Sequence, residues 1–508
     1  MNEKLLPALA ICIALTATSC PRNATAEPVS AAQAVNEALD NNPNLRAAVS
    51  QLSAAQGLSL SESARYDTAL TLSLGATHTK NPSLSPGTSS VLVGSNDVAQ
   101  ADAALQKTLR TGAQLSASVG LSASRSSSPY VISSGQGATE PLVLVTGPGY
   151  LVSTRLGVTQ PLLRGAGAEV TLAPYRQAVV QQTASERERS RTASALAREV
   201  LVGYWELWYA SQAVDVDLKA RQTARAQRDD ARLRAQTGSL ASADVLTFET
   251  QLATKEESLL QSELERTTRQ NDLGRLLGRD SGGDEIEVSE PVPAAPREFP
   301  AELLALAVHR SPDVSVTEAN LTVAQVQQRT AADGYRKRLD LDAYVQSQGL
   351  GNKDAPSAFS QFSGLGVLSA HVGLTMELPL SGTRYEGQAR RASATVDAAH
   401  ENLVTARNQV AADMATLVRK RELARKRIDL STTGIEFAEQ QLAAKRALFV
   451  TGSATALEVT QAQDSVPAAN KRLARARADL VLADLVIAYH LDTLLTGRIA
   501  SRSPSRAW

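Results

Sequence analysis

Residues 34–74 read AVNEALDNNPNLRAAVSQLSAAQGLSLSESARYDTALTLSL, and residues 303–343 read LLALAVHRSPDVSVTEANLTVAQVQQRTAADGYRKRLDLDA. Laid over each other at a constant offset of 269 positions, without a gap, they put Pro43 on Pro312, Leu52 on Leu321, Ala55 on Ala324 and Gln56 on Gln325. Leu70 and Leu72 fall on Leu339 and Leu341. The chain therefore contains itself twice, and a repeated order of elements constrains the fold more than any single motif. Further on, Thr237-Gly238-Ser239 matches Thr451-Gly452-Ser453, and Asp244-Val245 matches Glu458-Val459. The halves also end alike, with Leu276-Leu277-Gly278 and Leu494-Leu495-Thr496-Gly497.

This places the first repeat at 27–278, a connector rich in Gly, Asp and Pro at 279–297, the second repeat at 298–497, and a disordered tail at 498–508. Each half reads as a Pro-broken helix, then strands, then a very long helix, a turn and a further long helix. Leu70, Leu72 and Leu74 alternate with Thr71, Ser73 and Gly75, and Leu368, Ala370, Val372, Leu374, Met376 and Leu378 alternate with Ser369, His371, Gly373, Thr375 and Glu377. That period of two predicts strands with one apolar and one polar face. Strands are expected at about 69–80, 101–124 and 150–162 in the first half, and at about 339–349 and 367–380 in the second. The 101–124 segment is a hairpin about Thr111-Gly112, and whether it enters the same sheet stays open. The Ser-, Gly- and Pro-rich segments 81–98 and 125–149 read as surface loops.

The long helices are expected at 169–236 and 240–277, and at 385–450 and 455–496. At ~1.5 Å per residue, a helix of roughly 65 residues is about 100 Å long. Only helices supported along their length by neighbours reach that size. In the last one, Val459, Val466, Leu473, Leu480, Ile487 and Leu494 recur at steps of seven, with Ala462, Ala469, Ala476 and Ala483 three residues after the first four. Large and small residues in register let a second helix approach closely. Pro467 interrupts the ladder and predicts a kink.

The whole chain has 508 residues, and its 52 Lys+Arg balance 52 Asp+Glu, which removes any electrostatic case for nucleic acid. Aromatics make up only 4%, which argues against a large aromatic-centred core. Lys4 followed by the apolar run Leu5–Leu15 reads as a signal peptide over residues 1–20. Ala17-Thr18-Ser19-Cys20 resembles a bacterial lipobox, with Cys20 the lipidated residue; ordinary cleavage near Ala24 or Ala26 is the alternative. Past residue 20 no apolar run reaches the ~18–20 residues of a spanning helix, so any membrane entry must be through strands closed into a barrel. His78, His309, His371, His400 and His490 are scattered, with no metal-ligand spacing. Gly165-Ala166-Gly167 lacks the third glycine and the βαβ setting of a dinucleotide loop. No catalytic residue, metal or cofactor is called for.

The doubled plan, the Asn41-Asn42-Pro43-Asn44-Leu45 opening, Thr159-Gln160-Pro161-Leu162-Leu163-Arg164-Gly165 and the Gly238-x5-Asp244-Val245-Leu246 spacing between two helices resemble the TolC-type outer-membrane efflux family. The resemblance covers nearly the whole mature chain. It implies an α plus membrane β-barrel fold, in which long antiparallel helical hairpins form a periplasmic tunnel and three copies share one barrel in outer-membrane lipid. It implies a homotrimer, a periplasmic adaptor protein and an inner-membrane pump of RND or ABC type as partners, and a Gram-negative outer membrane as location. The function implied is the passive outer-membrane duct of a tripartite efflux or type I secretion system. The alternative is a non-conducting periplasmic coiled-coil scaffold.

By the same resemblance the turns Thr237-Gly238-Ser239-Leu240 and Thr451-Gly452-Ser453-Ala454 are the tips that dock the adaptor, and Asp244 and Glu458 are acids at the pore entrance. Each acid also stands where a carboxylate complements the start of a helix. The family member best known for a polar latch uses a Tyr and an Arg where this chain has Phe449 and Ala454, and its lower acid position is Gln461 here. That latch is therefore expected to be absent.

Overall fold

A computed structural model describes residues 28–84, 91–133, 139–279, 286–288, 290–292, 299–300, 302–334, 336–378 and 381–495, with side chains at 130–142 excepted. The expected signal peptide, Cys20 and the tail 498–508 lie outside the described residues. The elements run β1 (Pro28–Val29), α1 (Ala31–Asn41), α2 (Pro43–Ala64), β2 (Thr68–Leu84), β3 (Val91–Thr108), β4 (Gln114–Ser133), β5 (Thr139–Pro161), α3 (Ala168–Thr171), α4 (Ala173–Gln236) and α5 (Ser242–Leu277). They continue with β6 (Glu287–Val288), α6 (Leu303–Arg310), α7 (Pro312–Asp333), β7 (Arg338–Asn352), α8 (Ala355–Ser363), β8 (Val367–Glu377), α9 (Thr383–Val450) and α10 (Ala456–His490). The offset that aligns the sequence halves carries Pro43–Ala64 onto Pro312–Asp333, so α2 and α7 share both bounds.

Two compact units emerge. The first comprises 1–46, 193–307 and 412–508. It holds α5, α10, α4 from residue 193 and α9 from residue 412, on either side of the turns at 237–241 and 451–455. Its main core joins Ala34, Val35, Ala38 and Leu45 to Leu196, Val200, Tyr204, Trp205, Leu207, Leu273, Leu277 and Ile286. Burying each large side chain contributes roughly 1.5–3 kcal/mol. Tyr204 meets Trp205 edge-on at 5.5 Å, and Trp205 meets Trp208 at 6.1 Å. This core is more aromatic than the 4% average suggested, because the rings are concentrated in one turn of α4. The 279–297 stretch is more than a connector: β6 pairs in parallel with β1, and Ile286 is buried.

Asn42 shows how the Asn-Pro signal works. Its side-chain oxygen accepts from the Asn44 N–H at 2.9 Å, capping α2, and its amide donates to the Leu276 carbonyl at 3.0 Å. In α10, Ala462, Ala469, Ala476 and Ala483 are all buried while Val466, Leu473 and Leu480 are only partly so, as a close-approach seam requires. The helix runs on through Pro467. It stops at His490 rather than at 496, because Asp492 turns left-handed (φ +53°) and the Thr493 N–H donates back to the Ala488 carbonyl at 3.0 Å.

The second unit comprises 47–192 and 308–411. Its centre is one antiparallel sheet in the order β2-β3-β4-β5-β7-β8. The hairpin left open by the sequence is thus part of the sheet, and it occupies the middle rather than an edge. The strands also outrun their expected bounds. β2 pairs with β3 from Thr68↔Lys107 to Leu84↔Val91, and β4 pairs with β5 as far as Ser133↔Thr139. Segments 81–84, 91–98, 125–133 and 139–149 are therefore strand, not loop. Their Ser, Gly and Pro residues hid this, since a strand ladder pairs through backbone N–H and C=O groups whatever the side chains.

Candidate pore and docking site

The sheet register sorts its side chains onto two faces. One face carries Leu70, Leu72 and Leu74, then Ala101, Ala103 and Leu105, then Leu115, Ala117, Val119 and Leu121, then Leu156 and Val158, then Ala343 and Val345, then Ala370, Val372 and Leu374. The other carries Thr71 and Ser73, Asp102 and Gln106, Ser116 and Ser118, Arg155 and Thr159, Asp342 and Tyr344, then His371 and Thr375. The outermost strands β2 and β8 are exposed along almost every residue of both faces, Leu74 at 87% and Val372 at 75%. A soluble sandwich would bury the apolar face against a second layer. A wall with hydrocarbon on one side and water on the other exposes both within a single protomer.

The polar face holds a cluster that the alternation pointed to but composition obscured. The Arg155 guanidinium lies 3.6 Å from the Tyr344 ring centroid, and Tyr344 stacks on His371 at 5.0 Å. Asp342 accepts from the Thr159 hydroxyl at 2.8 Å and the Thr375 hydroxyl at 3.3 Å. At one end of this face the 159–165 motif makes a junction. Arg164 donates to the Tyr385 hydroxyl at 2.9 Å and to Glu377 at 3.1 Å, and the Gly165 N–H donates to Asp333 at 3.1 Å.

α8 packs on the far part of β7. A Cβ on Gly349 would lie 2.1 Å from the Ala358 carbonyl oxygen, and one on Gly351 would lie 2.3 Å from that of Asp354. Both positions therefore exclude any larger residue.

In the first unit, the two hairpin tips repeat each other bond for bond. Gly238 (φ +72°) donates to the Ala235 carbonyl at 3.1 Å and Ser239 to that of Arg234 at 2.8 Å. Gly452 (φ +78°) donates to the Phe449 carbonyl at 3.1 Å and Ser453 to that of Leu448 at 2.8 Å. Both are helix-closing left-handed turns that glycine adopts without steric cost. Thr237 and Thr451 each return a hydroxyl to the carbonyl three residues back, at 2.9 Å. Leu240, with Phe449, packs against a small core of Ala231, Phe248 and Ala456, in which Phe248 meets Phe449 edge-on at 6.0 Å.

The two candidate pore acids part company here. Glu458 closes a capping box with Thr455 and pairs with Lys445 at 2.8 Å. The Lys445 hydrogen bond, then the backbone bond from Thr455, hold its carboxyl down at about 2. Asp244 sits in the first turn of α5, whose N-cap is Ala241 and offers no side-chain bond. The first hairpin instead pairs Arg232 with Glu249, at 2.5 Å. So the repeats share a backbone closure and differ in their ionic brace. Phe449 is a packing residue here. Among the described residues, no group of three or more His, Cys, Asp or Glu is placed to hold a metal, and no helix is long and apolar enough to cross a membrane.

Comparison with known proteins agrees with this geometry. Residues 303–487 match the family model for outer membrane efflux protein. The chain is similar in structure to the outer membrane protein VceC from Vibrio cholerae, with a TM-score of 0.64 at 18% identity, covering 91% of this chain and 95% of that one. It is similar to the CmeC outer membrane channel of Campylobacter jejuni, with a TM-score of 0.65 at 13% identity, covering 91% and 85%. It is also similar to CusC, a protein solved in a study of folding and transmembrane channel formation, with a TM-score of 0.65 at 14% identity and 91% coverage of both chains. A search of curated protein sequences found no match. At these identities the likeness establishes the fold, which is that of outer-membrane channels.

Proposed function

We propose that this chain, which carries the outer membrane efflux protein domain on an outer-membrane channel fold, is the channel component of a tripartite efflux or type I secretion system. The observation that carries the reading is the six-stranded sheet whose outermost strands, β2 and β8, are exposed on both their apolar and their polar faces, α8 covering only the far part of β7. Such a sheet is stable only when it is closed on itself with lipid outside and water inside. Three copies pool their sheets in the outer membrane, and the hairpins α4–α5 and α9–α10 line a periplasmic tunnel. The duct is passive, and an inner-membrane pump of RND or ABC type supplies the energy.

The tip turns at Thr237–Leu240 and Thr451–Ser453 seat a periplasmic adaptor, and Asp244 faces the entrance. Support for the tip role comes from the exposed backbone of two equal glycine closures. Glu458 adds charge to the entrance only while it stays ionised, which its pairing with Lys445 favours.

The test is purification from outer membranes in detergent, followed by mass measurement and insertion into planar bilayers. A trimer that forms discrete ion-conducting channels is expected. A monomer soluble without detergent and silent in bilayers would instead support the non-conducting scaffold.

A further inference from the structure

The hairpin β3–β4 is built into the wall rather than draped on it. It lies second and third in the strand order, so β2 reaches the rest of the sheet only through it. Its faces continue those of its neighbours, with Ala101, Ala103 and Leu105 beside Leu74, Leu72 and Leu70, and Leu115 and Ala117 beside Val158 and Leu156. Its turn is anchored as well. Gly112 (φ +92°) has no room for a side chain, since a Cβ would lie 2.6 Å from the Gly165 carbonyl oxygen. The Gly167 N–H donates to the Thr111 carbonyl at 3.1 Å. The two free edges, β2 and β8, run in opposite directions because the strand number is even and every neighbouring pair is antiparallel. The β8 edge of one copy can thus join the β2 edge of the next in an ordinary antiparallel ladder.

We propose that each copy gives six strands to the shared barrel, so that three copies close an eighteen-stranded wall sealed by β8–β2 seams between copies. This rests on the trimeric-duct reading above. Strands about 4.8 Å apart and tilted about 40° then make a backbone cylinder roughly 36 Å across. Were the hairpin outside the wall, four strands per copy would give twelve and a cylinder of only about 24 Å. Allowing about 5 Å of side chain on each side, the open cross-section is about threefold larger with the hairpin than without it. Barrels of that strand number hold an aqueous channel. The outer exit therefore passes hydrated solutes up to about 25 Å across, and selection by size falls to another part of the duct.

Two measurements decide it. Electron cryomicroscopy of the detergent-purified full-length protein reads copy number and strand number in one cross-section through the barrel. Three copies and eighteen strands are expected. Three copies with twelve strands and a detached hairpin overturn the wide barrel and leave the duct standing; no shared barrel at all overturns both. In the second measurement, single substitutions Gln100→Cys, Ala101→Cys, Asp102→Cys and Ala103→Cys are probed in intact outer membranes with a membrane-impermeant thiol reagent. Labelling at 100 and 102 at least tenfold faster than at 101 and 103 is expected. Uniform labelling of all four removes the hairpin from the wall.

Discussion

Replacing Gly452 and Gly434 by alanine, one at a time, gives opposite effects from the same chemical change, one in the turn that closes α9 and one inside it. Both glycines have open space where a Cβ would go, so neither substitution causes a clash and only the backbone decides. Gly452 sits at φ +78°. Holding an L-residue there costs about 1–2 kcal/mol, of which about 0.4–1 kcal/mol is offset by the stiffer unfolded chain. The net loss is about 0.5–1 kcal/mol, a two- to fivefold rise in the local opening equilibrium at about 1.4 kcal/mol per factor of ten. Gly434 lies inside α9, where Gly to Ala gains about 0.8–1 kcal/mol, a four- to fivefold fall in opening. Hydrogen exchange by mass spectrometry on the detergent-solubilised protein reads both. The peptide over 446–455 should lose protection in Gly452→Ala, and the peptide over 428–440 should gain it in Gly434→Ala. If both variants move in the same direction, the left-handed closure of the tip is not what the glycine is for.

Further expectations concern the tips and the wall. The folded-state carboxyl of Glu458 lies at about 2, below its ordinary 4.5, so its brace on the tip is fully present above about pH 4.5 and is lost as pH falls through about 2. A spin label at Ser453 should therefore stay ordered from pH 8 to 5 and loosen on further acidification, and Lys445→Met should leave it loose at every pH. Asp244→Asn should lower cation preference in planar bilayers; an unchanged reversal potential removes it from the entrance. Phe248→Ala, at a position only 4% exposed, should cost about 3–5 kcal/mol, seen as proteolytic cleavage of the tips at protease levels that spare the native protein. Gly349→Val drives a side chain into the backbone of α8 and should abolish the folded, heat-modifiable form on gels.

The repeat, the order of helices and strands, and the two-faced alternation were legible from residues, because each rests on periodicity that burial or lipid enforces. Where nothing enforces a period, legibility stopped. Residues 94–98 and 125–129 are strand by backbone pairing, and their sequences, GSNDV and RSSSP, carry no apolar alternation that would mark them. β1 and β6, two residues each, are too short for any pattern. The aromatic knot at Tyr204, Trp205 and Trp208 was masked by a low average over the whole chain. At the tips, the spacing that singled out Asp244 and Glu458 gave each the same two roles. The N-caps, Ala241 in one hairpin and Thr455 in the other, and the Lys445 pairing of Glu458 separate them, and both are relations between neighbours that the repeat alignment passes over.

The placement of β3–β4 also bears on how such chains diverge. On the proposed duct reading, a gene that gained or lost this segment would keep the same first and last strands, and with them the same two edges for a neighbouring copy. Bore would then be inherited as an interchangeable cassette, set apart from the hairpin tips at the other end of the repeat order.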